Sequence, residues 1–188
     1  QCNVHGESPL ALAAMFGHCA AVRTLLRLGA RVDVVDQMGN TPLMHACLRG
    51  HELLLPPLLS VDGPHATPVE AKNAEGHTAL MLCCMAGHVQ SAEMLMQIHA
   101  DLLARGPGGV TALMLASRLD SDRAATLIRS FVQACGPAAV ARAGSTPAAS
   151  QLQRMETMDQ GMQQQSVALL LNAVDEQQRT ALRHAAAT

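Results

Sequence analysis

The chain has 188 residues, a formal net charge of −2 and nearly half apolar residues, enough to bury the core of one ordinary domain or one short repeat array. Its 13 basic residues are scattered with no basic run, which argues against a nucleic-acid surface, and its apolar runs, such as VALLL at 167–171, are far too short to span a membrane. Only Phe16 and Phe131 are aromatic, so the core must come from Leu, Ala, Val and Met, a composition that favours closely packed helices over a β-sandwich.

The first predicted element is SPLALAAMFGH at 8–18. Ser8 reads as a helix cap and Pro9 as the first helical residue. Leu10, Ala13 and Ala14 follow at helical spacing, and Gly17 ends the run. A second helix follows in AAVRTLLRLG at 20–29. The pattern restarts with TPLMHACLRGH at 41–51, where Thr41, Pro42 and Gly50 take the same parts. Here the second helix, LLLPPLLS at 53–60, carries Pro56 and Pro57. An interior proline removes a backbone donor and clashes, at about 3 kcal/mol, so this helix is predicted to be short, kinked or restarted at Pro56. The return VDGPHATPVE at 61–70 reads as a long, exposed and mobile loop.

The third element pair is TALMLCCMAGH at 78–88 and VQSAEMLMQIH at 89–99. The fourth opens with GPGG at 106–109, read as a flexible finger, and TALMLASRLDS at 111–121, where Asp120-Ser121 replaces Gly-His. The fifth, STPAAS around Thr146, is poor: Ala148 and Gln151 replace core Leu and Ala, and QLQRMETMDQGMQQQ at 151–165 is polar where a helix core is expected. Met155, Met158 and Met162 fit either an amphipathic partner-binding helix or irregular core. The sixth, TALRHAAA at 180–187, stops after one helix.

The opening hydroxyls, Ser8, Thr41, Thr78, Thr111, Thr146 and Thr180, are spaced 33, 37, 33, 35 and 34 residues apart. A fixed period near 33 signals a repeat architecture. With the T-P-L motif and Gly6, Gly39, Gly76, Gly109 and Gly144 two residues before the hydroxyl, the chain is similar to the ankyrin-repeat family. That resemblance implies an all-α fold: a solenoid of stacked helix-turn-helix units joined by β-turn finger loops. It implies a single array over 1–188, with repeats near 3–35, 36–72, 73–105, 106–140, a degenerate 141–174 and a truncated 175–188. The family's His three residues after the hydroxyl is absent; Ala11, Met44, Met81, Met114, Ala149 and Arg183 stand there, which puts its hydrogen bonding between turns in question.

The six cysteines show no C-x-x-C spacing, and Cys47, Cys83 and Cys84 fall where the family has small residues. They read as buried, reduced thiols of an intracellular protein, cytoplasmic or nuclear. His18, His51 and His88 recur one per repeat, too far apart for one metal, and read as structural turn residues. No nucleophile elbow, P-loop or paired-carboxylate pattern appears, so no catalytic residue, cofactor or metal is expected. The expected function is a non-catalytic protein-interaction module, adaptor or scaffold, binding a protein or peptide on its concave face. A start at Gln1 and an end midway through a repeat read as a monomeric fragment of a longer chain, whose alternative role is the regulatory or substrate-recruiting arm of an enzyme.

The resemblance places partner contacts at the ends of the first helices: Met15, Phe16, Leu48, Arg49, Met85 and Arg118. On the fingers it points to His5, Glu7, Gln37, Met38, Asn40, Glu75 and His77. Apolar residues gathered there need a use, since soluble proteins avoid large exposed apolar patches. The alternative is that Met15, Leu48 and Met85 tuck between neighbouring helices as ordinary packing.

Overall fold

The computed structural model describes residues 3, 6–61, 66–119 and 121–134. The expectations for His5, for the fifth and sixth repeats and for Met155, Met158 and Met162 lie outside these residues. The described residues form eight α-helices and no strand: α1 (Pro9–Met15), α2 (Cys19–Arg27), α3 (Pro42–Arg49), α4 (Leu55–Leu59), α5 (Ala79–Ala86), α6 (Val89–Gln97), α7 (Ala112–Ala116) and α8 (Ser121–Ala134). They come in four antiparallel pairs. The first helices pack in a row, α1 on α3, α3 on α5 and α5 on α7, and the second helices line the other side.

Among the described residues, the hydroxyls predicted as caps are caps. Ser8 accepts from the Ala11 N–H at 3.1 Å and Thr41 from Met44 at 3.2 Å; Thr78 and Thr111 accept from Met81 and Met114, each at 3.4 Å. Each hydroxyl satisfies one of the donors that a helix start leaves open. Two residues on, Leu10, Leu43, Leu80 and Leu113 are buried, and Ala13, Ala46, Cys83 and Ala116 behind them keep the helices close. Phe131 closes the described end of the core.

The second row is less regular. The double proline splits its helix: a 3-10 turn at Glu52–Leu54 leads into the five-residue α4, with the prolines in the first turn, where a missing N–H costs little. Helices α2 and α4 touch, as do α6 and α8, but α4 and α6 do not pack closely. The described parts of the 61–70 return are tied down: the Thr67 hydroxyl donates to the Leu58 carbonyl, and Glu70 accepts from the Asp101 N–H at 2.9 Å.

In the fourth pair, Ala124 and Leu127 take the buried places of Ala92 and Leu95 at a spacing of 32, one short of the Thr78-to-Thr111 step. The shortening falls where Gly-His is missing. At the C-terminus of α2, Gly29 turns with φ +78°; at the matching end of α6, His99 does so with φ +64°. In both, the N–H two residues past the last helical turn returns to a carbonyl five residues back, Ala30 to Leu25 and Ala100 to Leu95.

Candidate partner-binding face

Of the four first-row, inner helices, α7 ends at Ser117 with φ −69°, whereas α1, α3 and α5 each end in the left-handed turn of a glycine, Gly17, Gly50 or Gly87, with φ between 72° and 74°. The histidine of the next pair lies against that glycine. A Cβ on Gly17 would stand 2.7 Å from His51 Cε1, and one on Gly50 2.5 Å from His88 Nδ1. The rings use this approach to hydrogen-bond backward: His51 Nε2 to the Met15 carbonyl at 3.2 Å and His88 Nε2 to the Leu48 carbonyl at 3.3 Å. Glycine is therefore required twice over, for its backbone conformation and for its lack of a side chain. Against Gly87 lies Arg123 instead, its guanidinium Nη1 3.2 Å from where a Cβ would be.

These links pin the backbone at Met15 and Leu48, and the side chains beside them stand outward. Phe16 is 62% exposed, Met85 42% and Leu48 37%. Arg49 and Arg118 are exposed in the same row, and Met15 is half-buried. Phe16 also stacks on the His18 ring, centroids 6.2 Å apart. The third histidine of the predicted set thus shapes the rim, and the other two join successive pairs.

The fingers are built on residues that sequence reasoning passed over. Asn3, Asp36 and Asn73 stand five residues before the capping hydroxyls. Asp36 Oδ1 accepts from the Met38 and Asn40 N–H groups, both at 2.8 Å. Asn73 Oδ1 accepts from Glu75 at 3.1 Å and His77 at 2.9 Å, and Asn3 Oδ1 from Glu7 at 3.0 Å. The recurrence of Asn or Asp at one register position was the signal available. In the fourth finger Gly106 stands there, yet its N–H still donates to the Val110 carbonyl at 2.8 Å, so GPGG forms a hydrogen-bonded turn of the same kind.

Successive fingers are joined. The Ala74 N–H donates to the Met38 carbonyl at 2.8 Å, and Asn73 Nδ2 donates to Asn40 Oδ1 at 3.0 Å. The Lys72 ammonium donates to the Arg105 carbonyl at 2.8 Å. These bonds, with those of His51 and His88, join neighbouring turns in place of the missing family histidine. Of the predicted finger residues, Met38 is 52% exposed and Glu75 is exposed. Gln37 is exposed and Glu7, which accepts from Asn3 Nδ2 at 2.7 Å, is half-buried. Asn40 is engaged on both sides by Asp36 and Asn73, so its amide acts within the array. His77 is largely buried, with Nδ1 3.3 Å from the Glu75 carboxylate.

The buried thiols offer little chemistry. Burial, reinforced by a hydrogen bond to Cys47, pushes the Cys83 thiol well above its usual range, and burial followed by Cys47 does the same to Cys84. A thiol held protonated is a poor nucleophile and metal ligand. Among the described residues no cluster of His, Cys, Asp and Glu could hold a metal ion, and no helix is long and apolar enough to cross a membrane.

A family model described as "Ankyrin repeats (3 copies)" matches residues 1–65 and 53–134. The chain is 35% identical over 123 residues to human "SH3 and multiple ankyrin repeat domains protein 2", covering 65% of this chain and 6% of that protein. It is 47% identical over 58 residues to "Glycerophosphocholine phosphodiesterase GDE1" of Candida albicans, 29% of this chain and 5% of that protein. It is 34% identical over 103 residues to human "NF-kappa-B inhibitor alpha", 54% of this chain and 32% of that protein. The chain therefore spans less than a third of the length of each of these curated relatives.

Proposed function

The chain belongs to the ankyrin-repeat family, whose repeats are protein-interaction modules, and from that premise we propose that it binds a partner protein or peptide along the rim of its inner helices. One observation carries the reading. Phe16, Leu48 and Met85 stand exposed in a row beside Arg49 and Arg118, on a backbone that His51 and His88 fix in place. A surface already fixed before binding loses little entropy on association. Flexible Met adapts to a partner's side chains, and aromatic and Arg residues dominate interface energetics.

The partner that fits is an amphipathic segment crossing the first three pairs. Its apolar side chains meet Phe16, Met38 and Leu48, and an acidic group meets Arg49 or Arg118. Glu75 and His77 flank it on the third finger, and Glu7 on the first. We read residues 1–188 as one array with repeats near 3–35, 36–72, 73–105, 106–140, 141–174 and 175–188, acting without catalysis inside the cell. The resemblance of one segment to part of a phosphodiesterase supports a second reading, in which the array is the regulatory arm of a larger enzyme.

The test is selection of ligands from a displayed peptide library on the intact chain, followed by titration of a Phe16→Ala, Met38→Ala, Arg49→Glu variant. Loss of binding by at least about 100-fold is expected, the sum of ordinary truncation costs at an interface. If the variant keeps the parent's circular dichroism and its affinity, the rim is not the site.

A further inference from the structure

Within the finger layer His45 and Asp36 form a polar contact whose side chains are almost wholly buried. His45 Nε2 lies 2.9 Å from Asp36 Oδ2, with the two side chains 8% and 7% exposed. A carboxylate only accepts, so the ring donates from Nε2. His45 stands four residues after the capping hydroxyl, one place beyond the position that the repeat pattern assigns to histidine.

The register shows what the pair does. The finger anchored by Asp36 has His45 at this position. The fingers anchored by Asn3 and Asn73 have Leu12 and Leu82 there, and Gly106 goes with Leu115. Asp with His recurs at the same nine-residue spacing in Asp175 and His184, which lie outside the described residues. Asn completes its turn as a neutral side chain. A buried Asp carries a charge that costs free energy unless donors surround it, and the histidine supplies the donor that Leu cannot.

The bonds run outward from this pair. Asp36 holds the Met38 and Asn40 amides, Asn40 takes the amide hydrogen of Asn73, and Asn73 holds Glu75 and His77. We infer that His45 is a positioning residue: it sets the second finger, and through Asn40 the third, so that Met38 and Glu75 are presented in fixed geometry. The Asp–His pair and the Asn–Leu pair are two interchangeable ways of building one finger. The effect on partner binding rests on the function proposed above; the effect on the fingers does not.

The experiment is amide hydrogen exchange, read by NMR on the intact chain, for His45→Leu and for the double variant Asp36→Asn, His45→Leu. In the single variant, exchange at Met38 and Asn40 should speed on the order of tenfold or more relative to the helical amides of Leu12 and Leu82, as expected when a buried acceptor loses its donor. Glu75 and His77 should follow more weakly. The double variant should return all four to near the parent rates. Unchanged finger amides in His45→Leu, or no rescue in the double variant, overturns the inference. Should His45→Leu fail to fold, a folded and protected double variant supports it, and an unfolded or unprotected one overturns it. If the fingers loosen while a peptide selected on the parent binds both variants equally, the inference about the fingers stands and the rim proposal fails.

Discussion

The inner and outer rows of helices obey different standards of regularity. The inner row repeats a hydroxyl cap, a buried Leu and a tight small-residue contact four times, from Ser8 to Thr111. The outer row holds a helix broken at Pro56, a left-handed histidine and a one-residue shift in register. The difference teaches where the array needs accuracy. Inner ends must meet across pairs, ring against glycine, so an error there reaches the neighbours. Outer ends meet solvent, so an error stays local.

The sharpest way to break this comparison is to add the same methyl group at two left-handed glycines. Gly50→Ala sets a Cβ 2.5 Å from the His88 ring, whereas Gly29→Ala on the outer side meets nothing within 4 Å. Both incur backbone strain of about 1–2 kcal/mol. Gly50→Ala also displaces His88 from its bond to Leu48, so a total of about 2–3 kcal/mol is expected from urea unfolding. Equal losses at the two sites would erase the distinction between the rows.

Alkali probes the inner row by another route. Folding raises the thiols of Cys83 and Cys84 through burial, so the unfolded chain loses these protons first. Their contribution is fully present below the ordinary thiol range near pH 8.5 and is lost as pH rises above it. The slope approaches about 1.4 kcal/mol per pH unit for each thiol. Cys83→Ala, Cys84→Ala should flatten the alkaline limb of the stability profile; an unchanged limb would contradict the assignment.

On the outer side, His99→Gly should stabilise by up to about 1 kcal/mol in thermal or urea unfolding, since glycine relieves the left-handed strain. The smallest effect is expected at Pro57→Ala, within about 0.5 kcal/mol, because the proline already lies in the first turn of α4. A large loss there would mean that proline holds the outer row together.

Much of the inner row was legible as sequence, because caps, glycines and core Leu act locally and repeat. The period placed Phe16, Leu48 and Met85 at one register position or its neighbour, and all three are exposed there. The partners of His51 and His88 were not legible, since a recurring residue does not reveal which carbonyl, 36 or 40 residues back, it will reach. The finger anchors Asn3, Asp36 and Asn73 recur plainly, but their meaning depends on amides that converge only once the turn has formed. His45 carried the weakest signal, because its role depends on whether the anchor nine residues earlier is charged.

The central claim is that binding belongs to the regular row. The most direct measurement is an NMR titration of methyl-labelled methionines in the intact chain with a peptide selected on it. The methyls of Met38 and Met85 on the proposed binding face should shift and broaden together, while Met94 on the outer helix α6 stays in place. Shifts centred on Met94, with Met38 and Met85 unmoved, would place the partner on the irregular side and contradict the account.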